Sequence, residues 1–177
     1  ADFNTGIRVA KTGSLNLTFG FSSQNKTNRA GSVTKDELFG VDNAWTQANP
    51  GLGMIIGQPE TKVANMFVNF ELPTGETGKF YAFGGTTYRN GTSFALYRTP
   101  YWVTSDFGLL TPKGQPYNGF QPEFKTDVYD YNLTSGWKGM FGKWSFDGSA
   151  TFGSNAVDYA VANTINTSLG ANSPTYF

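Results

Sequence analysis

Residues 127–153 read DVYDYNLTSGWKGMFGKWSFDGSATFG. On the way in, Tyr129, Tyr131, Leu133, Trp137 and Phe141 take odd positions, while Asp130, Asn132, Thr134 and Lys138 take even ones. On the way out, Trp144, Phe146, Ala150 and Phe152 alternate with Ser145, Asp147, Ser149 and Thr151. A period of two gives each strand one apolar and one polar face. The reversal at Phe141-Gly142-Lys143 is short enough for a hairpin. The stretch predicts two long antiparallel strands, and the rest of the chain reads as further units of this kind.

Working outward, Phe3–Val9 and Leu15–Ser22 alternate across a short break at Lys11-Thr12-Gly13. Val63–Leu72 places Ala64, Met66, Val68, Phe70 and Leu72 on one face and Asn65, Asn69 and Glu71 on the other, interrupted by Phe67. A turn cluster, Pro73–Gly78, leads into Lys79–Arg89. That strand is aromatic on both faces, with Phe80 and Tyr88 against Tyr81 and Phe83, so its register stays open. After Phe152 the apolar phase moves to Val157, Tyr159 and Val161, which one inserted residue near Asn155 would explain. Asp36-Glu37-Leu38-Phe39 could form one helical turn.

The connections then show an order: short, long, short, long, short, long. The long ones run from about Gln24 to Thr61, from Asn90 to Thr126, and from Asn163 onward. Outer-membrane barrels alternate short periplasmic turns with long extracellular loops in this way, and their strands need about 9–11 residues to cross the hydrocarbon. The expected fold is therefore all-β: an antiparallel transmembrane β-barrel segment of about six long strands. Six strands do not close a barrel, and open edges cannot sit in lipid. Either two strands remain to be found, or residues 1–177 are part of one larger barrel domain. A soluble or surface-displayed β-sandwich binding module, such as an adhesin or carbohydrate binder, alternates equally well. Strand length and loop order favour the barrel over it.

Composition narrows the chemistry. The chain has 177 residues, 13 basic and 13 acidic, so no basic excess points to nucleic acid. It has no cysteine and no histidine, which removes disulfides, thiolate metal sites and the commonest general base. An enzyme is disfavoured, and a carboxylate pair would require Glu123 to converge with Asp127 or Asp130. Those acids with Asp158 lack the spacing of a calcium loop. No metal or cofactor is implied.

Several short stretches, in order, resemble one family. They include Asn16-Leu17-Thr18, Thr27-Asn28-Arg29-Ala30-Gly31, Tyr81-Ala82-Phe83-Gly84-Gly85 with Tyr88-Arg89, and Tyr97-Arg98 before Pro100. Asn118-Gly119-Phe120-Gln121-Pro122-Glu123, Gly142-Lys143-Trp144, Gly153-Ser154-Asn155, Asn166-Thr167-Ser168-Leu169-Gly170 and Ser173-Pro174-Thr175 continue the series. Together they resemble the middle of the barrel of TonB-dependent outer-membrane receptors. The resemblance implies a 22-stranded plugged barrel in the outer membrane of a Gram-negative bacterium. It implies uptake of a scarce nutrient: a metal chelate, vitamin, oligosaccharide or peptide. The implied partners are outer-membrane lipid, the remaining strands and plug of the same receptor, and an inner-membrane energy-coupling complex. No stretch here is assignable to the plug.

Candidate residues follow. Leu15, Leu17, Phe19, Phe21, Met66, Val68, Phe70, Leu133, Phe146 and Phe152 are expected to face lipid. Asn16, Asn69, Glu71, Asp130, Asn132, Lys138, Asp147 and Thr151 are expected to face the lumen, where Asp130, Lys138 and Asp147 could form ion pairs. In the loops, Arg29, Arg89, Arg98, Tyr97, Tyr101, Trp102, Tyr117 and Phe120 combine cations with aromatics, which suits an anionic chelate or a sugar. The plainer expectation is that these aromatics order the loops, with Arg29 and Arg98 bracing backbone carbonyls.

Overall fold

The computed structural model describes residues 1–33, 35 and 40–177, so the turn expected at Asp36–Phe39 lies outside the described residues. The chain is all-β. Six strands, β1 (Asp2–Val9), β2 (Gly13–Gln24), β3 (Glu60–Thr74), β4 (Gly78–Phe94), β5 (Glu123–Phe141) and β6 (Trp144–Ala162), form one antiparallel sheet. Each strand pairs with its neighbours in sequence, so β1 and β6 are the two edges and the sheet does not close on itself. A short helix α1 (Ala44–Ala48) and a 3-10 turn at Thr167–Asn172 complete the elements. The sandwich alternative called for two sheets of five- or six-residue strands; the described residues hold one sheet, with strands of 8 to 19 residues.

Three short turns join β1 to β2, β3 to β4 and β5 to β6. Gly75 and Gly142 sit in the last two with φ of 69° and 62°, a region glycine enters without strain. The strands outrun their sequence periodicity. Pro73 belongs to β3 rather than to the turn, β4 continues past Arg89 to Phe94, and β5 starts at Glu123. Ladder hydrogen bonds join backbones and do not require alternating side chains. β6 is also continuous. Asn155 reaches Asp130 on β5 and Thr151 meets Thr134 on the same strand. Both β6 residues are odd-numbered and both partners even-numbered, so no residue is inserted between Thr151 and Asn155.

The chain divides into two compact units. Unit 1 comprises residues 1–23, 62–90 and 127–158; unit 2 comprises 24–61, 91–126 and 159–177.

In unit 1 the two faces of the sheet differ in chemistry. The β1–β2 register pairs Phe3 with Phe19, Thr5 with Leu17 and Ile7 with Leu15 on one face. Asn4 with Thr18 and Gly6 with Asn16 lie on the other. The apolar face continues through Phe70, whose ring meets Phe80 edge-on, and through Trp137 beside Phe146. The Trp137 indole lies over Gly78 and Gly139 and donates its N–H to the Thr74 hydroxyl at 2.8 Å. At the other end of these strands Tyr88 packs on Tyr129, and its hydroxyl donates to Asp127. The open register of β4 is thereby settled: Phe80 and Tyr88 share the apolar face, and Tyr81 and Phe83 stack on the polar one.

Candidate functional site

The polar face of unit 1 brings together the four charged residues expected there. Glu71 accepts from Lys79 at 2.8 Å. Tyr81 donates to Asp147 at 2.6 Å, and the Lys138 ammonium lies 5.5 Å from the Tyr81 ring centre. Asp130 accepts from Asn155. The ion pairs expected among Asp130, Lys138 and Asp147 are not formed: each carboxylate is met by a neutral donor, and Lys138 lies near the Tyr81 ring and the Glu71 charge. A tyrosine hydroxyl or an amide satisfies a carboxylate without the cost of fixing two long charged chains.

Beside this cluster lies an open groove of about 430 Å³, lined by Asn16, Thr18, Phe67, Asn69, Phe83 and Asn132 among others. Phe67 is the residue that interrupts the alternation of β3. Its ring lies against Gly85, where an added Cβ would collide with it. Gly85 thus provides the flat bed on which a phenyl ring can rest on an otherwise polar face. Phe67 and Phe83 remain 46% and 48% exposed. The Asn16 amide is engaged with Asn4 at 2.7 and 3.2 Å. The Asn69 and Asn132 amides have no hydrogen-bond partner among the described residues.

Unit 2 organises the loop aromatics. Asn43 caps α1 by accepting from the Trp45 and Thr46 amides, the usual role of an asparagine before a helix. The cap fixes Trp45, whose ring stacks on Tyr97 at 5.8 Å and meets Tyr101 edge-on at 6.1 Å. Trp45 donates to the Asn118 side chain at 2.8 Å, and Tyr97 donates to the Asn118 carbonyl at 3.0 Å. Tyr101 in turn meets Trp102 edge-on. Tyr117 donates to the Val103 carbonyl at 2.6 Å, and Phe120 is 6% exposed. Tyr97, Tyr101, Tyr117 and Phe120 are therefore occupied in holding loop to loop, and Trp102 packs on its chain neighbour Tyr101. Arg98 pairs with Phe120 through its main chain, and Arg29 donates its amide to the Ile56 carbonyl at 2.7 Å. The expected bracing of carbonyls by their guanidinium groups is not seen among the described residues. Arg29 is exposed and Arg98 half-buried.

Sequence reasoning passed over Trp45, Asn118 and Asp106. Asn43 before Ala44-Trp45-Thr46 is a cap pattern that could have flagged the first. Asp106 before Phe107-Gly108 is a turn signal for the last. The buried Asp106 carboxylate accepts from the amides of Gly108 at 2.9 Å, Leu110 at 3.1 Å and Thr111. Burial pushes its pKa up, but hydrogen bonds from Thr111 and the backbone outweigh this and hold it below the usual carboxylate value. Burial chiefly, with the nearby Asp106 charge, raises the Tyr117 hydroxyl to about 12.

A depressed carboxylate stabilises the folded loop above its unfolded pKa, about 3.9, and loses that contribution as pH falls through the folded value. Replacing Asp106 by Ala strands three amides and is expected to cost about 1–3 kcal/mol of loop stability. Hydrogen exchange at Gly108, Leu110 and Thr111 should accelerate to match. In the parent the same acceleration should appear only on acidification below about pH 4.

Among the described residues, no three acidic side chains gather in a way that could hold a metal ion. Asp127 and Asp130 alternate to opposite faces of β5 and bond to different strands, Asp127 to Tyr88 and Asn90 on β4 and Asp130 to Asn155 on β6. They form no converging pair. Glu123 lies 3.5 Å from the Lys125 ammonium. No family model, no curated protein and no solved structure matches this chain.

Proposed function

We propose that the chain is a section of the barrel of a TonB-dependent outer-membrane receptor, part of a transporter that takes up a scarce nutrient without covalent chemistry. The observation that carries this reading is the uncovered apolar face of unit 1. Among the described residues of unit 1 Val128, on the other face, is the one buried hydrophobic, while Phe3, Ile7, Phe19, Leu133, Phe146 and Phe152 are all exposed. A water-soluble domain rarely leaves so large an apolar surface open. A lipid-facing wall has to.

The spacing of aromatic groups supports the same reading. Trp137 covers Gly78 at one end of β4 and the Tyr88–Tyr129 pair lies toward the other. Ten steps of about 3.4 Å separate Gly78 from Tyr88. At the tilt of about 40° common in such barrels they span about 25 Å, the height of the apolar band between aromatic girdles. A tryptophan and a tyrosine pair, each with an apolar body and a polar tip, suit the two edges of that band. Apart from the pairing of Val161 and Ala162 with Tyr176 and Phe177 at the end of β6, the two edges of the sheet are open, which fits a wall continued by further strands, since lipid does not tolerate open edges. The resemblance of the short stretches from Asn16 to Thr175 agrees with this.

The test is fractionation of cells carrying the natural polypeptide, with its intact mass. It is expected in the outer-membrane fraction, released by detergent and not by salt or alkali, with a mass several times 19.3 kDa. Recovery as a water-soluble monomer with its sheet intact would overturn the reading.

A further inference from the structure

We propose that the groove between Phe67 and Phe83 is a binding site for a neutral, polyhydroxylated solute of the oligosaccharide class. This goes beyond the transport reading and rests on it for the access of solute to the polar face.

Two half-exposed phenyl rings line a groove whose polar side chains are the amides of Asn16, Asn69 and Asn132 and the hydroxyl of Thr18, with no charged group. Leaving them in water is unfavourable in proportion to their open area. Beside them the Asn69 and Asn132 amides each offer two donors and one acceptor oxygen with no partner among the described residues. A ligand that satisfies both needs presents apolar C–H faces to the rings and hydroxyls to the amides. Sugar rings combine the two within one unit. An aliphatic ligand would leave the amides desolvated and unpaired, which costs more than its contact with the rings returns. No cation lines the groove, so nothing there selects an anionic chelate. The volume of about 430 Å³ falls within the roughly 300–1,000 Å³ of small-molecule sites.

In two other clefts most of the polar groups are already engaged. Unit 2 holds one of about 370 Å³ in which Tyr97, Asn118, Gln121 and Asn163 all have hydrogen-bond partners. The cleft beside Lys79 and Lys138 in unit 1 has its cations taken by Glu71 and the Tyr81 ring.

The test uses the natural detergent-solubilised polypeptide and calorimetric titration with maltohexaose and cellohexaose, with ferric citrate as the anionic comparison. At least one hexaose should bind saturably and ferric citrate should not compete. Phe83→Leu keeps the apolar volume and loses the flat ring, and Asn132→Ala loses the amide. Each should weaken binding about tenfold with the circular dichroism spectrum unchanged. If Phe83→Leu fails to fold, Asn132→Ala and Asn69→Ala carry the test. Absence of binding by both hexaoses, or binding unaltered by the variants, would overturn the proposal. A thiol placed by Asn69→Cys should react with a membrane-impermeant maleimide and be protected by the bound hexaose. A thiol inaccessible without sugar would mean that protein, not solute, covers the groove, and would overturn it as well. Failure here with the polypeptide still in the outer membrane leaves the transport reading standing. A soluble polypeptide would instead remove the premise of both.

Discussion

Leu133→Arg should destabilise the sheet by about 2–4 kcal/mol when the protein is folded in lipid vesicles. Leu133 sits on the apolar face of β5, between Tyr129 and Trp137, and is 49% exposed. A half-exposed leucine in water tolerates such a change, normally within about 0.5 kcal/mol. At the midplane of a bilayer the guanidinium has neither water nor an internal partner, and the depth sets the cost. Thr151→Lys provides the comparison on the opposite face. It gives up one hydrogen bond to Thr134 at 2.9 Å and places a charge beside water, so it should cost less than about 1 kcal/mol. Urea unfolding of both variants in vesicles reads the difference directly. Equal costs for the two substitutions would mean that both faces meet the same solvent, and the membrane reading would fall.

A second large effect is expected at Gly84. This buried glycine lies where β4 and β5 approach so closely that an added Cβ would fall on the Asn132 carbonyl oxygen and stand 2.8 Å from the Leu133 Cα. Both obstacles are backbone, so no side-chain rotation relieves them. Gly84→Val should cost about 3 kcal/mol, the upper part of the range for overpacking. It should also raise hydrogen exchange along the β4–β5 ladder. Gly142→Ala is the contrasting change. It meets no neighbour within 4 Å, but its φ of 62° strains a Cβ by about 1–2 kcal/mol. The exchange rates should then rise at the β5–β6 turn and not along β4. A uniform loss of protection in both variants would show that the sheet opens as one body and that local crowding at Gly84 is not what limits it.

The sequence showed the hairpins because apolar and polar side chains alternate wherever one face meets a different solvent from the other. That logic failed on β4. Its two parities are equally aromatic, and only a neighbour decides between them: Tyr81 finds Asp147 and lies against Gly136, while Phe80 finds Phe70. The extension of β4 through Phe94 was illegible for a related reason, since backbone pairing leaves no mark on side-chain pattern. Phe67 was visible as an exception, but the Gly85 that makes room for its ring on the neighbouring strand was not. The loop cluster was hidden by distance along the chain. Trp45 and Asn118 are 73 residues apart, and no periodicity links them. For Phe120 and Tyr117 the sequence offered both loop packing, the plainer expectation, and ligand binding, because aromatic composition does not tell packing from presentation.

The neighbour-to-neighbour order of the strands also bears on how the chain comes together in time. β5 and β6 can begin to pair once Gly142 and Lys143 have turned, whereas β2 must wait for residues 25–59 before it finds β3. Closing a longer connection costs only about 0.6 kcal/mol per doubling, so the delay is modest but always has the same sign. Each hairpin alone is marginally stable in water and gains from docking on the next pair. Folding rate should therefore respond to changes at Ala10–Thr12, Gly75–Thr77 and Gly142–Lys143, where the pairs start. Insertions in residues 25–59 or 95–122 should lengthen the search only slightly. The long connections can thus change in length with little slowing of the assembly of the wall that carries them.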